Sequence, residues 1–271
     1  MELKGVYTAM VTPLSKGAVD YGKLREIVEM QIAGGVDGIV PVGTTGESPT
    51  LDAEEHMKVI EETIAAAAGR CKIMAGTGAN STAEAIILTK HARSVGADCS
   101  LQVTPYYNKP TQEGIYRHFS TIADTCDIPI VLYNVPGRTG VGIAAETVAR
   151  LVKNRNVLGV KEAAGSVERV SEILSLCDTS IMCGDDSLTV PMMLLGAKGV
   201  ISVASVARNR ELQTPWYAQR TAKIAFQQPV SPAEAYDALH AEYAAGTING
   251  YALIADVDTS GGISLGGQEG A

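Results

Sequence analysis

Aromatic side chains are scarce in this chain, at 5% of its 271 residues, with a single tryptophan, Trp216, and two phenylalanines. A core of normal size must then be built from Val, Ile, Leu and Ala, the residues that fill strands buried on both faces of a parallel sheet. Cysteine is sparse and unpatterned: Cys71, Cys99, Cys126, Cys177 and Cys183 form no Cys-x-x-Cys pair and no metal-ligand spacing. That excludes a disulfide framework or a zinc module and reads as reduced thiols in a core. Positive charge is also short. Lys and Arg number 22 against 30 Asp and Glu, and the net charge of −8 disfavours nucleic acid or an anionic membrane as a partner. No apolar run is long enough to span a bilayer and no basic, apolar leader opens the chain, so the expected compartment is the cytoplasm. What is present is a hydrophobic fraction of 46%, enough to bury a substantial core, in a length close to one complete barrel enzyme.

Runs rich in Val, Ile and Ala alternate with amphipathic stretches. Strands are predicted at 6–11, 38–42, 72–75, 99–103, 129–133, 157–160, 180–183 and 199–203. Residues 22–34 place Leu24, Ile27, Val28 and Ile32 on one face at helical spacing. A second helix over 53–68 follows Asp52 as its N-cap, with Glu54 and Glu55 in the first turn. Residues 82–95 and 111–125 repeat the pattern. Eight strands separated by seven helices, in units of about 25–30 residues, is the count of an α/β (β/α)8 TIM barrel. A doubly wound sheet also alternates strand and helix, but the early Gly76-x-Gly78-x-x-Ser81 string lacks the third glycine of a dinucleotide fingerprint. The barrel is expected over 1–208. Residues 209–271 are expected to form a shortened or atypical C-terminal segment, with helices at 209–225 and 231–245 before a Gly-rich tail.

In a barrel, reactive groups sit where strands end at the C-terminal face. The second strand runs into Gly43-Thr44-Thr45-Gly46-Glu47, and the fourth into Pro105-Tyr106-Tyr107-Asn108. The fifth ends in Tyr133-Asn134-Val135-Pro136-Gly137-Arg138-Thr139-Gly140, the sixth in Val160-Lys161-Glu162 and the seventh in Gly184-Asp185-Asp186. Lys161 follows Val157, Leu158 and Val160, so its stem enters an apolar wall. Desolvation there would lower its pKa and free an amine to attack a ketone; position alone fits equally a lysine that ends a strand and snorkels to water. Tyr133, one strand earlier, could shuttle protons with Thr44 and Tyr107 as a relay, or pack on the rim with its hydroxyl in solvent. Arg138 could clamp a carboxylate through its guanidinium fork, or be a surface arginine in a turn. Thr45 offers a hydroxyl and a backbone N–H to a second carboxylate, and the glycines at 43 and 46 permit close backbone approach. His56, His91, His118 and His240 pair with no second ligand at metal spacing and read as structural or surface groups. The Asp185-Asp186 pair reads as a helix N-terminus rather than a cation site.

Together these segments resemble the dihydrodipicolinate synthase family of pyruvate-dependent class I aldolases, from about residue 4 to residue 212. The Gly-x-x-Gly-Glu string at 43–47 marks the superfamily, and the Tyr133–Gly140 and Val103–Asn108 segments are more specific to this family. Lys161, in Gly159-Val160-Lys161-Glu162-Ala163, falls at the family's Schiff-base position. The resemblance implies that Lys161 forms an imine with pyruvate and that Thr44, Tyr107 and Tyr133 relay protons, Tyr107 reaching into a neighbouring subunit's site. It implies that Arg138 receives the carboxylate of L-aspartate-4-semialdehyde, and that Thr45 and the backbone near Gly184 and Ile201 help hold pyruvate. The implied reaction is a lyase-type condensation in lysine and diaminopimelate biosynthesis, with no metal and no organic cofactor beyond the covalent imine. Ser48, His56, Asn80, Glu84 and Tyr106 match positions where bacterial members bind the feedback inhibitor L-lysine at a dimer interface; the alternative is a set of ordinary interface polar groups. The resemblance weakens beyond Arg210-Glu211-Leu212, where the family's Asn-Pro segment is missing. A homodimer or homotetramer is expected. Two other readings stay open: a sister aldolase of the N-acetylneuraminate or 2-keto-3-deoxy-sugar-acid type, and a barrel that serves as a non-catalytic scaffold.

Overall fold

A branched Cβ packs well on a pleated surface, so runs of Val and Ile favour extended backbone. In the computed structural model, which describes residues 2–206, 256–257 and 263–264, eight such runs form the strands of one barrel. They are β1 (Gly5–Ala9), β2 (Gly38–Val40), β3 (Lys72–Gly76), β4 (Cys99–Val103), β5 (Ile130–Asn134), β6 (Val157–Glu162), β7 (Ser180–Cys183) and β8 (Gly199–Ser202). Each pairs in parallel with its sequence neighbour, and β8 returns to β1 with Gly199 opposite Gly5, so no edge is left open. The (β/α)8 barrel read from the sequence is the fold.

Between the strands run α1 (Tyr21–Ala33), α2 (Ala53–Ala67), α3 (Thr82–Val95), α4 (Gln112–Thr125), α5 (Ala145–Leu151), α6 (Glu168–Leu176) and α7 (Thr189–Leu194). Their starts follow local chemistry. Asp52 accepts the Glu55 amide while the Glu55 carboxylate takes the Asp52 amide, a reciprocal cap that satisfies two orphan donors. Asp20, Ser81 and Thr111 cap α1, α3 and α4 through one side-chain acceptor each.

Some strand ends differ from the sequence expectation. The second strand stops at Val40 rather than 42, because Pro41 has no N–H to donate and Val42 turns to a φ of +46°. The fifth and sixth run further than expected, to Asn134 and Glu162, which brings the residues read as lying beyond the strands into the barrel wall. A small hairpin pairing Leu14–Ser15 with Ala18–Val19 was not anticipated; two-residue strands show no alternation to read. Asp256–Val257 pairs antiparallel with Ile263–Ser264. The helices expected at 209–225 and 231–245, His240, and the boundary at residue 208 fall outside the described residues.

Alternation along each strand separates two packed layers. One set, including Tyr7, Ala9, Val40, Met74, Leu101, Val131, Tyr133, Met182 and Ile201, fills the barrel interior. The other, including Val6, Ile39, Ile73, Leu132, Val160, Ile181 and Val200, faces the helices and meets Leu24, Ile60, Phe119 and Ile173. The seam between β8 and β1 tolerates no side chain at Gly199, since a Cβ there would lie 2.0 Å from the carbonyl oxygen of Gly5. Gly199→Ala must therefore push the closing strands apart and is expected to cost about 3 kcal/mol. Urea denaturation reads this directly, and a variant within about 0.5 kcal/mol of the parent would show that closure does not depend on this contact.

Candidate active site

Lys161 sits near the C-terminal end of β6, with Tyr133 as its direct partner across β5 and Met182 across β7. Its place in the strand turns it to the barrel interior, where only 4% of the residue is exposed. The amine lies 4.3 Å from the centre of the Tyr133 ring. Burial pushes the Lys161 pKa down from 10.5 to about 8, while the carboxylates of Asp186 and Asp185 pull it the other way and the Arg138 guanidinium adds to the fall. A usable fraction of free amine therefore exists near neutral pH, which an exposed lysine lacks. Of the two readings the sequence left open, the buried amine is the one observed.

Space around that amine is made by Gly184, which follows β7. A Cβ at residue 184 would stand 2.9 Å from the Lys161 Cε and 2.7 Å from the Ala163 Cβ. The Gly184 amide donates to the Glu162 carbonyl at 2.8 Å, fixing the turn against β6. Ile201 is fully buried on the interior face of β8.

Tyr133 is buried, and burial raises its phenol pKa, with the Thr44 hydroxyl and the Arg138 guanidinium working against the rise. Its carbonyl accepts from both the amide and the hydroxyl of Thr104, which pins the end of β5 to β4. Thr44 belongs to a tight loop in which the Gly46 amide donates to the Gly43 carbonyl at 3.1 Å and the Glu47 amide to the Thr44 carbonyl at 3.1 Å. The loop is entered through Val42 in left-handed backbone, where a β-branched residue costs about 1–3 kcal/mol. The loop is thus held in place rather than free to relax.

The remaining predicted residues divide. Arg138 is exposed on a helical turn, Pro136–Thr139, with its amide donating to the Val135 carbonyl. Thr45 is half-buried beside Thr44. Tyr107 is 91% exposed at a φ of +71°, so it stands apart from the Lys161–Tyr133 pair of its own chain. Asp186 belongs to a short helical turn, Asp186–Leu188, and its Oδ2 also accepts the amides of Val203 and Ala204, opening the turn Ala204–Val206. Among the described residues no group of three or more His, Cys, Asp or Glu is arranged to hold a metal ion, and no helix is long and apolar enough to cross a membrane.

A separate cleft of about 450 Å³ is lined by Ser48, His56, Glu84 and Tyr106 together with Leu51 and Ile87. Asn80 stands beside it, its amide 3.4 Å from the Tyr106 carbonyl. His56 is buried with Nε2 2.8 Å from the Gly76 carbonyl, and burial lowers its pKa against the opposing pull of that contact. Sequence reasoning did not single out Glu162 or Asn134 as site residues. Both project from the strands that carry Lys161 and Tyr133, yet their link spans 28 positions and leaves no local signal.

A family profile described as the dihydrodipicolinate synthetase family matches residues 2–224. The chain belongs to that family. The 4-hydroxy-tetrahydrodipicolinate synthase of Geotalea daltonii is 57% identical over 211 residues, covering 77% of this chain and 73% of that protein. Among solved structures, the 4-hydroxy-tetrahydrodipicolinate synthase of Methylacidiphilum fumariolicum SolV superposes with a TM-score of 0.81 at 47% identity, covering 89% of this chain and 79% of that one. A dihydrodipicolinate synthase from Cyanidioschyzon merolae, solved with lysine bound, gives 0.80 at 39% identity, covering 89% and 80%.

For this dihydrodipicolinate synthetase family member, the buried amine carries a cost in stability whose sign is fixed. The folded pKa of about 8 lies below the ordinary 10.5. The unfolded chain therefore binds more protons between those values, stability rises with pH across that window, and the penalty is full below it. Lys161→Met is expected to stabilise the protein at pH 7 by about 1–3 kcal/mol, with the gain fading above pH ~10. Urea denaturation at the two pH values measures this, and a destabilised variant at pH 7 would contradict the assignment of a strained buried charge.

Proposed function

We propose that this enzyme condenses pyruvate with L-aspartate-4-semialdehyde, through a Schiff base on Lys161, to give 4-hydroxy-tetrahydrodipicolinate for lysine and diaminopimelate biosynthesis. The observation that carries the reading is a buried lysine of lowered pKa facing a buried tyrosine on the adjacent strand, in a chain of this family. The free amine adds to the C2 carbonyl of pyruvate, and the carbinolamine loses water to form an iminium. That cation is the electron sink: a proton leaves C3 and an enamine forms. The enamine carbon attacks the aldehyde carbon, whose oxygen takes up a proton to become the 4-hydroxyl. The amino group of the former semialdehyde then adds to C2 and displaces Lys161, closing the ring. One water is lost overall, and the amine returns unchanged.

In this scheme Tyr133 handles the protons of carbinolamine formation and dehydration. Its phenol stays protonated at neutral pH, so it donates first and recovers a proton through Thr44. Thr45 and the backbone at Gly184 and Ile201 receive the pyruvate carboxylate and methyl ends. Arg138, exposed at the rim, offers its fork to the semialdehyde carboxylate. No step needs a metal or an organic cofactor, because the iminium supplies the electrophile. The relay is incomplete within one chain, since Tyr107 projects outward. We therefore assign a homodimer or homotetramer in which Tyr107 enters a partner's site. We assign the cleft at Ser48, His56, Asn80, Glu84 and Tyr106 to L-lysine as an inhibitor: the Glu84 carboxylate suits an α-ammonium, and His56 lines the wall beside the lysine side chain. Free, scattered cysteines and a central metabolite as substrate support a cytoplasmic enzyme.

Product formation from the two substrates, followed by mass spectrometry, tests the function. With Arg138→Ala, KM for the semialdehyde is expected to rise about tenfold or more while KM for pyruvate stays within about twofold. Cleavage of N-acetylneuraminate without condensation of the semialdehyde would overturn the substrate assignment. Millimolar L-lysine is expected to lower the rate and raise the melting temperature; a protein in which neither moves has no lysine site.

A further inference from the structure

Glu162 follows Lys161 in β6, so its side chain leaves the opposite face of the barrel wall, toward the helices. It has no exposed surface. A carboxyl in such a place is tolerated only when its oxygens are bonded, and here they are. The Asn134 Nδ2 lies 2.9 Å from Oε1 and 2.9 Å from Oε2. The Ala164 amide donates to Oε1 at 3.0 Å, and the Arg169 Nε stands 3.5 Å from Oε2. Burial raises the Glu162 pKa, against the opposing pull of Asn134 and the Arg169 guanidinium.

The partners of this carboxylate matter more than their number. Asn134 is paired with Glu162 across β5 and β6 one step beyond the pair of Tyr133 and Lys161. Its Oδ1 accepts the Ile143 amide at 2.9 Å, and Arg169 Nη2 donates to the Ile143 carbonyl at 2.8 Å. The segment so fixed follows the turn Pro136–Thr139 that bears Arg138. On the other side, Ala164 leads to Gly165, whose amide donates to the Asp185 carboxylate at 3.1 Å, next to Gly184. A single buried group thus joins the strand ends carrying the amine and the phenol, the Arg138 turn and the glycine that makes room for Lys161.

We propose that Glu162 is a positioning residue for the condensation: bonded to Asn134 behind the barrel wall, it holds Lys161 and Tyr133 in the mutual geometry that imine chemistry requires. The proposal rests on the Schiff-base reading above. A displacement of about 1 Å at a reacting pair can cost a hundredfold in rate, so a group acting through the backbone of both strands has leverage without touching substrate. A group that served the fold alone would lower stability and leave turnover per folded site intact.

Glu162→Gln keeps the shape and removes the charge; Asn134→Ala keeps the charge and removes the bridge. Each is compared with the parent by melting temperature, by kcat per folded site and by KM for pyruvate, below the transition of the weakest variant. In both, kcat is expected to fall about tenfold or more with KM for pyruvate within about twofold. The double variant is expected to lose little beyond either single one, because the two groups act as one unit. Parental kcat in either variant overturns the proposal, as does a loss carried by KM alone, or losses that multiply in the double variant. Should Glu162→Gln fail to fold, Asn134→Ala decides alone. A parent protein that turns over no pyruvate overturns the Schiff-base reading, and this inference with it.

Discussion

An amine forced into an aliphatic wall is poor as an ammonium and strong as a nucleophile, and the architecture follows from keeping one there. Lys161 gains its lowered pKa chiefly because the barrel interior excludes water from its stem. That exclusion depends on Met182 and Ile201 packing within the ring, and on Gly184 being no larger than it is. Asp185 and Asp186 temper the effect from beyond the strand ends. A site with more negative charge would restore the ammonium, and one with none would push the amine's pKa lower still. The observed balance sets the amine near neutrality.

The barrel wall sorts its polar residues by face. Toward the interior it presents Lys161 and Tyr133, side by side on adjacent strands. Toward the helices it presents Glu162, Asn134, Ser100 and Gln102, all fully buried or nearly so and bonded to one another or to neighbours such as Thr77 and Thr89. The same period of two that alternates core layers therefore separates the Lys161–Tyr133 pair from the bonded polar groups behind the wall. Polar groups behind the wall are directional where aliphatic packing is not, and a directional contact can hold adjacent strands to a fixed register.

The fold was legible because its signal is local. Aliphatic runs buried on both faces locate all eight strands to within a few residues, and the cap at Asp52 marks where α2 begins. Positions for Lys161 and Tyr133 followed from the rule that chemistry sits at strand ends. What stayed hidden depends on distance in space. The bridge from Asn134 to Glu162 and the capping of Val203 and Ala204 by Asp186 join segments with no mutual pattern in sequence. The hairpin at 14–19 was missed for the opposite reason, since it is too short to carry any periodicity. The left-handed Val42 was unforeseeable too, because valine is the wrong residue for that backbone, and only the loop it introduces explains its being there.

The central claim is that the Lys161 amine is the covalent catalyst, and reductive trapping tests it most directly. Protein incubated with pyruvate and borohydride, digested and mapped by mass spectrometry, should carry a single reduced pyruvate adduct on the Lys161 peptide. The yield should rise with pH toward a midpoint near 8, as the free amine appears. An adduct spread over surface lysines, or none at all in folded protein, would contradict the account.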